Sequence, residues 1–562
     1  NFKKEPDAPW KKFYKDVDLD LKVSDTNFYN YFKEKTLNFG GLYCLDYYGK
    51  KFKYNELLDM IDECAKGLYD YGIRKGDVVS VCLPNMIEGV ISFFAINKIG
   101  AVANFIHPLS SENELKNSLN DTNSKLLIIL DTNFLKLKNI EKAIELKKVI
   151  LVNVYTYMPF VVNFVHKFQK SIKLDIEGDN LYVFWNIFMC KLKNINDNDY
   201  IIEINKDDAA VILSSGGTTG IPKGVVLSNE NLMAYVESDI RLSPDIKSGD
   251  TLLAIIPIFH GFGLVSNVLF GLCMGMFVVL RPKFDVNEYC WMITWYKPQC
   301  ISGVPTLFES VFDKLDKSFV NLSCLKYVVC GGDTLKPNLR DKINRVLKKH
   351  NSDIKVTVGY GLTEAVCAVV IESKFIEQKE NTVGIPFPGV YVGIFSEDNK
   401  KVPYGEEGEI CITGPTVMKN YYNNEQETDL VLKKHNDGNI WLHTGDLGFM
   451  DEDGYLTYLS RIKRMIISSG YNIYPTRIEE ILEEHPAISM CAVVAIPHKR
   501  KIEVPKVYIV LKDGYEKSEL LLLEFKNLIM KNLPKYAWPT KYEFRDYLPV
   551  TKFGKIDYKN LK

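Results

Sequence analysis

The segment AVILSSGGTTGIPKGVVLSNENL, residues 210–232, decides how this chain is interpreted. Its apolar start predicts a buried β-strand, which passes directly into glycines, serines and threonines followed by a lysine. Glycines let the backbone approach a polyanion and direct several N–H groups at it, while hydroxyls add donors and the lysine adds a positive charge. Such a loop is suited to the phosphates of ATP. The candidate phosphate-binding residues are Ser214, Ser215, Gly216, Gly217, Thr218, Thr219, Gly220 and Lys223.

Two other phosphate-binding motifs do not fit the chain. A Walker A loop requires Gly-Lys-Ser or Gly-Lys-Thr, whereas Lys223 follows Pro222 and precedes Gly224. A dinucleotide-binding GxGxxG would begin at Gly359, but Glu364 stands where its third glycine is required. The loop after residue 214 therefore belongs to a different class of nucleotide-binding site.

Composition and charge limit the classes of function. The 562 residues carry 70 Lys+Arg against 71 Asp+Glu, a formal net charge of -1, which argues against a nucleic-acid partner. The 12 cysteines form no CxxC pair and stand mostly in apolar surroundings, which predicts buried thiols in a reducing compartment. The N-terminus lacks the apolar region of a signal peptide, and we expect a cytoplasmic protein.

Apolar runs alternate with helix-period segments along most of the chain. Predicted strands lie at 78–84, 125–130, 148–154, 209–215 and 327–332, and predicted helices at Tyr54–Tyr71 and Asn338–Lys349. This alternation predicts an α/β fold with parallel sheets covered by helices on both faces. Turn-rich segments follow Gly384, Asp453-Gly454 reads as a hairpin turn, and a helix is expected to open on Pro475. We place a domain boundary near 460–464, giving units 1–460 and 461–562.

Two apolar stretches need an interpretation of their own. Residues 251–280 contain no Asp, Glu, Lys or Arg and are long enough to span a bilayer, but Pro257, His260 and Asn267 interrupt them. We favour a buried strand–turn–helix there. Residues 155–200 begin with an aromatic, apolar run that either packs on the core as an insertion or meets lipid as a peripheral membrane contact.

The motif SSGGTTGIPKG strongly resembles the signature of the AMP-forming adenylate-synthetase superfamily. Its members include acyl-CoA and aryl-CoA ligases, firefly-luciferase-like enzymes and the adenylation domains of peptide synthetases. Further blocks follow in the order of that superfamily: RKGDVVSVCLPN, INKIGAVANFIHP, IPIFHGFG, VPTLF, GGDTL, VGYGLTEA, HTGDLG, SRIKRMIISSGYNIYP and PVTKFGKID. The resemblance implies a large N-terminal domain of αβαβα layers and a small mobile α+β C-terminal domain that carries a catalytic lysine.

The resemblance also assigns the nucleotide-binding residues. Tyr360 would stack on adenine, with Gly332, Asp333 and Gly361 beside it; Thr363 would bond a phosphate oxygen, and Glu364 would hold Mg²⁺, which prefers oxygen ligands. Asp446 is suited to the ribose because one carboxylate accepts from two vicinal hydroxyls. Arg461 would contact the nucleotide, and Lys463 matches the hinge between the domains.

The resemblance also implies which residues act on the substrate acid and which lie along the path of the CoA thiol. Lys555 would neutralise the transition state of adenylation, since a compact ammonium near the C-terminus can be carried to the α-phosphate. Gly470 belongs to SSGYNIYP, which resembles the loop along the pantetheine tunnel for CoA. His260 resembles a gate at the acyl pocket, although a satisfied core histidine is the alternative. The reaction needs no side-chain nucleophile.

The class of the substrate acid is inferred from the residues expected to line its pocket. The expected pocket segments, 260–263, 304–306, 331–333 and 359–361, are largely apolar or backbone, with no basic residue to receive a charged tail. They favour an aliphatic or aromatic monocarboxylate, and the start of the chain and the 155–190 region favour a medium- or long-chain fatty acid joined to CoA.

Several alternatives stay open. They are an aryl-CoA ligase of the coumarate type, a stand-alone adenylation enzyme loading a carrier protein, and a membrane-anchored or non-catalytic nucleotide-binding protein. Two departures from the family pattern are SRIKR, in place of a Gly-Arg or Asp-Arg entry, and Asp333 in GGDTL, where a small residue is common. The second leaves the size of the substrate open.

Overall fold

The computed structural model describes residues 4–159, 179–190, 202–215, 223–468, 471–498, 501–550 and 556–561. Its strands are, in chain order, β1 Tyr43–Tyr47, β2 Lys50–Lys53, β3 Val78–Cys82, β4 Val102–Phe105, β5 Leu126–Leu130, β6 Lys148–Val152, β7 Tyr182–Phe184, β8 Ala209–Ser214, β9 Gly224–Ser228, β10 Thr251–Ala254, β11 Phe277–Leu280, β12 Cys300–Gly303, β13 Tyr327–Cys330, β14 Thr357–Gly361, β15 Ala368–Ile371, β16 Ile385–Pro386, β17 Tyr391–Phe395, β18 Gly408–Thr413, β19 Asn420–Tyr421, β20 Leu432–Lys434, β21 Ile440–Met450, β22 Leu456–Arg461, β23 Ile466–Ser468, β24 Tyr471–Ile473, β25 Ile488–His498, β26 Ile502–Leu511 and β27 Lys541–Phe544. The α-helices span Phe28–Lys35, Tyr54–Asp70, Ile87–Lys98, Glu112–Asp121, Phe134–Ile140, Trp185–Cys190, Asn229–Leu242, Phe270–Cys273, Val286–Tyr296, Pro305–Asp316, Pro337–Lys349, Glu425–Val431, Pro475–Glu483 and Glu519–Asn532. A π-helix covers Phe262–Leu269, and short 3₁₀ turns include Thr363–Ala365 and Ile462–Arg464.

Two largely parallel sheets form the centre of the N-terminal part. One has the strand order β19-β9-β8-β4-β3-β5-β6-β7, and the other has the order β16-β15-β14-β13-β12-β10-β11-β1-β2. Antiparallel pairs occur at their edges, where β9 returns along β8 and β15 returns along β14. The predicted strands at 78–84, 125–130, 148–154, 209–215 and 327–332 are β3, β5, β6, β8 and β13, so those predictions are confirmed.

Helices fill the space between the two sheets and cover both outer faces. The helix Ile87–Lys98 is apolar around its circumference and buried from Ile87 to Asn97, as expected for a helix with a sheet on either side. Glu112–Asp121 and Phe134–Ile140 pack on the outside of the β3 sheet, and Val286–Tyr296, Pro305–Asp316 and Pro337–Lys349 on the outside of the β12 sheet. The predicted αβαβα layering is confirmed.

The apolar stretch 251–280 forms β10, a turn, the π-helix with its α-helical continuation, and β11. Its residues pack into the shared core between the sheets, with Leu264, Val268 and Leu272 fully buried. The predicted strand–turn–helix is therefore confirmed. Within the described residues, the structure has no helix that is both long enough and apolar enough to cross a bilayer.

The region 155–200 is described only in part, because residues 160–178 and 191–200 lie outside the described ranges. The described portion extends a sheet: β7 pairs in parallel with β6, and Trp185 and Phe188 of the following helix are buried. This portion packs on the core, in agreement with the insertion interpretation.

The last part of the chain forms two smaller sheets. β17, β18, β21, β20 and β22 make an antiparallel sheet, in which Gly454 adopts a positive φ at the tip of the predicted β21–β22 hairpin. From residue 466 onward, β24-β23-β26-β25 with β27 form a separate sheet, covered on one face by the helices Pro475–Glu483 and Glu519–Asn532. The predicted helix does open on Pro475.

Candidate active site

A cleft of about 3100 Å³ lies at the carboxyl ends of β10, β12, β13 and β14. Open α/β sheets bind ligands at this edge, because the loops that follow parallel strands meet there. Among the predicted site residues, those that line the cleft are Ser215, Lys223, His260, Gly332, Asp333, Tyr360, Gly361, Thr363, Glu364, Asp446, Arg461 and Lys463. Residues separated by more than 200 positions in the sequence therefore share one cavity.

The predicted phosphate loop is the connection of an antiparallel strand pair. Ser214 ends β8 opposite Gly224 at the start of β9, and the Ser214 side chain does not line the cleft. The N–H of Ser215 donates to Lys223 O at 2.8 Å, and the N–H of Lys223 donates to Ser215 Oγ at 3.1 Å. These bonds close the base of a loop at the cleft. Gly216, Gly217, Thr218, Thr219 and Gly220 lie outside the described residues.

Lys223 is held by residues that were not predicted as site residues. Its ammonium forms an ion pair with the Glu427 carboxylate and lies 4.7 Å from the centroid of the Tyr421 ring. The Tyr421 O–H in turn donates to Glu364 Oε1 at 2.8 Å. The lysine of the predicted phosphate loop and the predicted metal ligand are thus connected through one tyrosine.

The GLTE segment is held in a tight backbone turn. Thr363–Ala365 form a 3₁₀ turn, and the buried Val366 that follows has a φ of +74°, a rare conformation for a β-branched residue. A Cβ on Gly261 would lie 1.9 Å from Val366 O, and a Cβ on Gly361 would lie 1.9 Å from Cys367 O. Only glycines permit this approach of the backbones, which fixes Thr363 and Glu364 at the cleft.

Tyr360, Asp446 and Arg461 form a group at the cleft that is joined by one hydrogen bond and one ion pair. The Tyr360 O–H donates to Asp446 Oδ2 at 2.8 Å, and Arg461 Nε lies 2.8 Å from Asp446 Oδ1. Burial raises the pKa of Asp446, whereas the Arg461 guanidinium acts in the opposite direction. Burial also raises the pKa of the Tyr360 phenol, which keeps it a hydrogen-bond donor. The group presents an aromatic ring beside a buried carboxylate.

The part of β21 that carries Asp446 is supported by a buried histidine. His443 Nδ1 and Glu409 Oε2 are 2.7 Å apart, and Glu409 Oε1 accepts from the Gly445 N–H at 2.9 Å. Together with Cys411, these side chains bring potential metal-ligand atoms within 4.8 Å of one another. Both Glu409 oxygens are engaged in these contacts, and the bond to the Gly445 N–H holds the backbone next to Asp446.

The other predicted residues occupy different parts of the cleft. Gly332, with a φ of +83°, and Asp333 are exposed to it, and Asp333 Oδ1 accepts the N–H of Thr334 at 2.8 Å. His260 lines the cleft just before the π-helix, its ring 4.9 Å from that of Phe259. Lys463 follows β22 in a 3₁₀ turn.

The C-terminal sheet borders the same cleft. Its helix Pro475–Glu483 contributes lining residues, and Lys336 Nζ reaches Glu483 Oε2 at 2.5 Å across the cavity wall. The predicted residues Gly470 and Lys555 lie outside the described residues. The described residues on this side include Arg464, whose NH2 is 2.6 Å from Glu479 Oε1.

Several residues of the cavity were not among the predicted site residues. Tyr421, Glu427 and Glu409 bond predicted site residues or their loops, and Asp239 and Asn267 line the cavity more deeply. Two weak sequence signals contain the first three residues: GEEGEI, which runs into the start of β18, and YYNNEQET. Isolated acidic residues in such segments usually lie on the solvent face.

Comparison with known proteins identifies the family. The family model described as "AMP-binding enzyme" matches residues 32–422, and the one described as "AMP-binding enzyme C-terminal domain" matches residues 477–555. The chain belongs to the AMP-binding enzyme family. The predicted superfamily, the fold class and the enzyme class of AMP-forming ligases are confirmed.

Individual relatives cover nearly the whole chain. A long-chain-fatty-acid–CoA ligase of Bacillus subtilis is 33% identical over 98% of this chain and 96% of its own length. A probable 4-coumarate–CoA ligase of Dictyostelium discoideum is 31% identical over 91% of this chain and 90% of its own.

Solved structures show the same fold. An anthranilate CoA ligase in complex with anthranoyl-AMP matches with a TM-score of 0.82 and 22% identity, covering 97% of this chain and 98% of its own. The o-succinylbenzoate CoA synthetase of Bacillus subtilis, in complex with its acyl-adenylate intermediate, matches with a TM-score of 0.78 and 25% identity, covering 96% of this chain and 99% of its own.

Proposed function

We propose that the protein is an ATP-dependent ligase that adenylates a carboxylic acid and transfers the acyl group to CoA. The observation that carries this proposal is the convergence of three segments on one cleft: the loop closed by Ser215 and Lys223, the turn with Thr363 and Glu364, and the Tyr360–Asp446 pair. A polyanion, a hard cation and a nucleoside each find suitable groups there.

The proposed reaction has two steps. A carboxylate oxygen attacks the α-phosphorus of ATP, and pyrophosphate leaves. A thiolate then attacks the acyl carbon of the adenylate, and AMP leaves. Both steps depend on positioning and on stabilising developing negative charge, so the cations near the phosphates matter most. Lys223 would serve the phosphates and Lys555 the transition state of the first step.

Each remaining residue has a proposed task. Tyr360 would stack on adenine beside Gly332, Asp333 and Gly361, Asp446 would accept from the ribose hydroxyls, and Arg461 would contact the nucleotide. Thr363 would bond a phosphate oxygen. The loop residues Ser214, Ser215, Gly216, Gly217, Thr218, Thr219 and Gly220 would surround the phosphates, Lys463 would serve as the hinge between units 1–460 and 461–562, Gly470 would border the path of CoA, and His260 would border the acyl pocket.

Glu364 fits a magnesium ligand. Its carboxylate lines the cleft, and Tyr421 bonds one oxygen, which orients the group without neutralising it. Mg²⁺ takes carboxylate and phosphate oxygens and retains water. When bound, it would supply charge neutralisation for the phosphates.

A medium- or long-chain fatty acid is the proposed substrate class, supported by the full-length similarity to a long-chain-fatty-acid–CoA ligase. An aryl acid is the second candidate, supported by the similarity to a probable 4-coumarate–CoA ligase. The proposed acceptor is CoA, with a carrier protein as the alternative.

A peripheral membrane contact would suit an apolar substrate. It is supported by Trp291 and Trp295, which stack at 5.8 Å on an exposed helix face with exposures of 50% and 69%. Tryptophan is typical of membrane–water interfaces.

The test is acid-dependent ATP–pyrophosphate exchange with a panel of fatty and aryl acids, followed by AMP release with and without CoA. We expect exchange with at least one acid and AMP turnover only when CoA is added. If the protein binds ATP but none of the tested acids supports pyrophosphate exchange, the proposed ligase function is contradicted. Exchange without CoA-dependent turnover would point to a carrier protein as acceptor.

A further inference from the structure

Tyr421 lies between two groups that the proposed function assigns to the phosphates and the metal. Its O–H donates to Glu364 Oε1 at 2.8 Å, and the Lys223 ammonium lies over its ring, 4.7 Å from the ring centroid. A cation at this distance from an aromatic face is attracted to the ring. One side chain therefore contacts both the candidate metal ligand and the candidate cation of the phosphate loop.

The backbone of Tyr421 is fixed to the strand that leaves the phosphate loop. In the antiparallel pair of β19 and β9, Tyr421 is opposite Val225, and β9 begins at Gly224, directly after Lys223. The Tyr421 N–H donates to Thr428 Oγ1 at 3.0 Å, and the side chain is buried. Because the strand pairing and this bond hold the backbone, the phenol ring has little freedom to move relative to the loop.

The same segment supports the turn that bears Glu364. The Met418 N–H donates to Glu364 O at 2.8 Å, so the backbone of Glu364 is bonded as well as its side chain. The Asn231 Nδ2 donates to two carbonyl oxygens of the segment 415–421, at 2.7 and 2.9 Å. The segment 415–421 therefore joins the turn at Glu364 to β9 through a continuous set of hydrogen bonds.

We propose that Tyr421 is a positioning residue that couples the metal site to the phosphate loop. This inference rests on the proposed ligase function and adds to it a residue that acts through Glu364 and Lys223. The O–H holds the Glu364 carboxylate so that its other oxygen, Oε2, is left for a divalent cation. The ring keeps the Lys223 ammonium at the cleft, whichever anion the ammonium pairs with.

The phenol suits this task because it stays protonated. Burial and the negative charge of Glu364 both raise the pKa of Tyr421, so the O–H remains a donor at neutral pH. A carboxylate that accepts from a neutral donor keeps its negative charge, whereas pairing with a lysine would cancel that charge. A hydrogen-bond partner of this kind orients a metal ligand and contributes to metal affinity.

Two other roles fit the contacts of Tyr421 less well. The neighbouring Tyr422 shows a structural role, since its O–H donates to the backbone carbonyl of Thr122 at 3.2 Å. The Tyr421 O–H instead bonds a carboxylate that lines the cleft. A general acid or base must exchange its proton in the working pH range, which the raised pKa of Tyr421 prevents. Positioning uses both contacts of the side chain and needs no proton transfer.

The experiment measures how strongly Mg²⁺ enhances the binding of ATP to the full-length protein. Isothermal titration calorimetry gives the Kd of ATP in excess EDTA and in excess Mg²⁺, and the ratio of the two values is the metal enhancement. Tyr421→Phe keeps the ring and loses the O–H. We expect it to lower the enhancement at least about tenfold, or to abolish a smaller one, because losing the partner of a metal ligand typically lowers metal affinity about tenfold to a hundredfold. The Kd in EDTA should stay unchanged.

Further variants separate the ring from the O–H. Tyr421→Leu removes both, so it should also raise the Kd of ATP in EDTA about two- to fivefold, as expected for one lost cation–π contact. In a Glu364→Gln background, Tyr421→Phe should not change the enhancement further, because the positioned carboxylate is gone. This pair keeps the test decisive if Tyr421→Leu fails to fold. Tyr422→Phe is the matched control and should keep both Kd values of wild type.

The outcomes separate this inference from the proposed function. A wild-type enhancement in Tyr421→Phe, equal losses with and without Mg²⁺, or ATP binding by wild type that Mg²⁺ does not enhance overturns the positioning role and leaves the ligase intact. An unchanged Kd in EDTA for Tyr421→Leu overturns the coupling to Lys223. If wild type binds no ATP, both the ligase and this inference are overturned.

Discussion

Tyr360 and Asp446, 86 residues apart in the sequence, are joined by a hydrogen bond of 2.8 Å between the tyrosine O–H and Oδ2 of the carboxylate. Arg461 approaches the other carboxylate oxygen at 2.8 Å. The bond connects the β14 strand of the parallel sheet to the β21 strand of the antiparallel sheet. A nucleoside bound here would be held by both sheets at once.

We expect Asp446→Ala to raise the KM for ATP about tenfold to a hundredfold, since hydrogen bonds to charged groups contribute about 1.5–3 kcal/mol. Tyr360→Phe keeps the ring and removes one donor to the carboxylate, so its effect on KM should be smaller. Initial rates of ATP–pyrophosphate exchange against ATP concentration measure both. A fall in kcat with an unchanged KM in Asp446→Ala would contradict a ribose-binding role.

Because Lys223 forms an ion pair with Glu427, removing the Glu427 carboxylate is predicted to increase the affinity for ATP. The Glu427 carboxylate competes with the phosphates for the Lys223 ammonium, so Glu427→Gln should lower the KM for ATP. Half-exposed pairs contribute about 0.2–1 kcal/mol, which corresponds to at most about fivefold. The effect should shrink as salt is added. Glu425→Gln, in the first turn of the same helix, is the control and should leave KM unchanged; an unchanged or higher KM in Glu427→Gln would refute the competition.

The sequence predicted the layers of the fold because their signals are local. Apolar runs such as VVSVC and LLIIL form parallel strands. The segment Tyr54–Asp70, whose apolar residues recur with the period of a helix, forms a helix at nearly the predicted bounds. The segments around Tyr360 and Asp446 could be placed in one site because their residue pattern resembles a family. Their mutual hydrogen bond could not be deduced from either segment alone.

The place of Asp239 in the cavity lining could not be predicted. Asp239 stands in NENLMAYVESDIRL, where an acidic residue near the end of a helix normally faces solvent. The packing of that helix beside the π-helix places Asp239 at the cavity, and the sequence before the π-helix does not predict a π-helix. The +74° φ of Val366 likewise follows from tertiary contact with Gly261.

Lys555 is expected to act in the first half reaction. Removing a donor of this kind lowers transition-state stabilisation by about 3–4 kcal/mol. Lys555→Ala should therefore slow adenylation at least about a hundredfold, while transfer from a supplied acyl-adenylate to CoA is less affected. Single-turnover assays of each half reaction measure the difference, with Lys552→Ala as the control. An equal loss in both half reactions would refute the division of roles.

Gly261 is expected to tolerate no side chain. In Gly261→Ala the new Cβ would lie 1.9 Å from the Val366 carbonyl oxygen, so the turn bearing Thr363 and Glu364 must shift. We expect kcat/KM for ATP to fall at least about tenfold, since a displacement of about 1 Å in a site can cost a hundredfold. Gly41→Ala, where a Cβ meets no atom within 4 Å, is the matched control and should retain activity. Full activity in Gly261→Ala would show that the turn can move without consequence.

The burial of Glu88 predicts that the protein loses stability as the pH rises. The side chain is fully buried near the start of the helix Ile87–Lys98, both carboxyl oxygens lack hydrogen-bond partners among the described residues, and Tyr47 and Tyr157 are its titratable neighbours. Burial raises its pKa from 4.5 to about 8. The native state therefore retains a proton that the unfolded state releases, and the free energy of unfolding falls as the pH rises from 4.5 towards 8.

Glu88→Gln removes this titration while keeping the shape of the side chain. At about 1.4 kcal/mol per pKa unit, the contribution is on the order of 4 kcal/mol at the upper end of the range. We expect the thermal midpoint of Glu88→Gln to exceed that of wild type near pH 8 and to approach it near pH 5. Glu63→Gln, exposed on the helix Tyr54–Asp70, should follow the wild-type pH profile. Parallel profiles for wild type and Glu88→Gln would mean that Glu88 is ionised in the native state, because only a proton held by the folded protein makes the two profiles diverge.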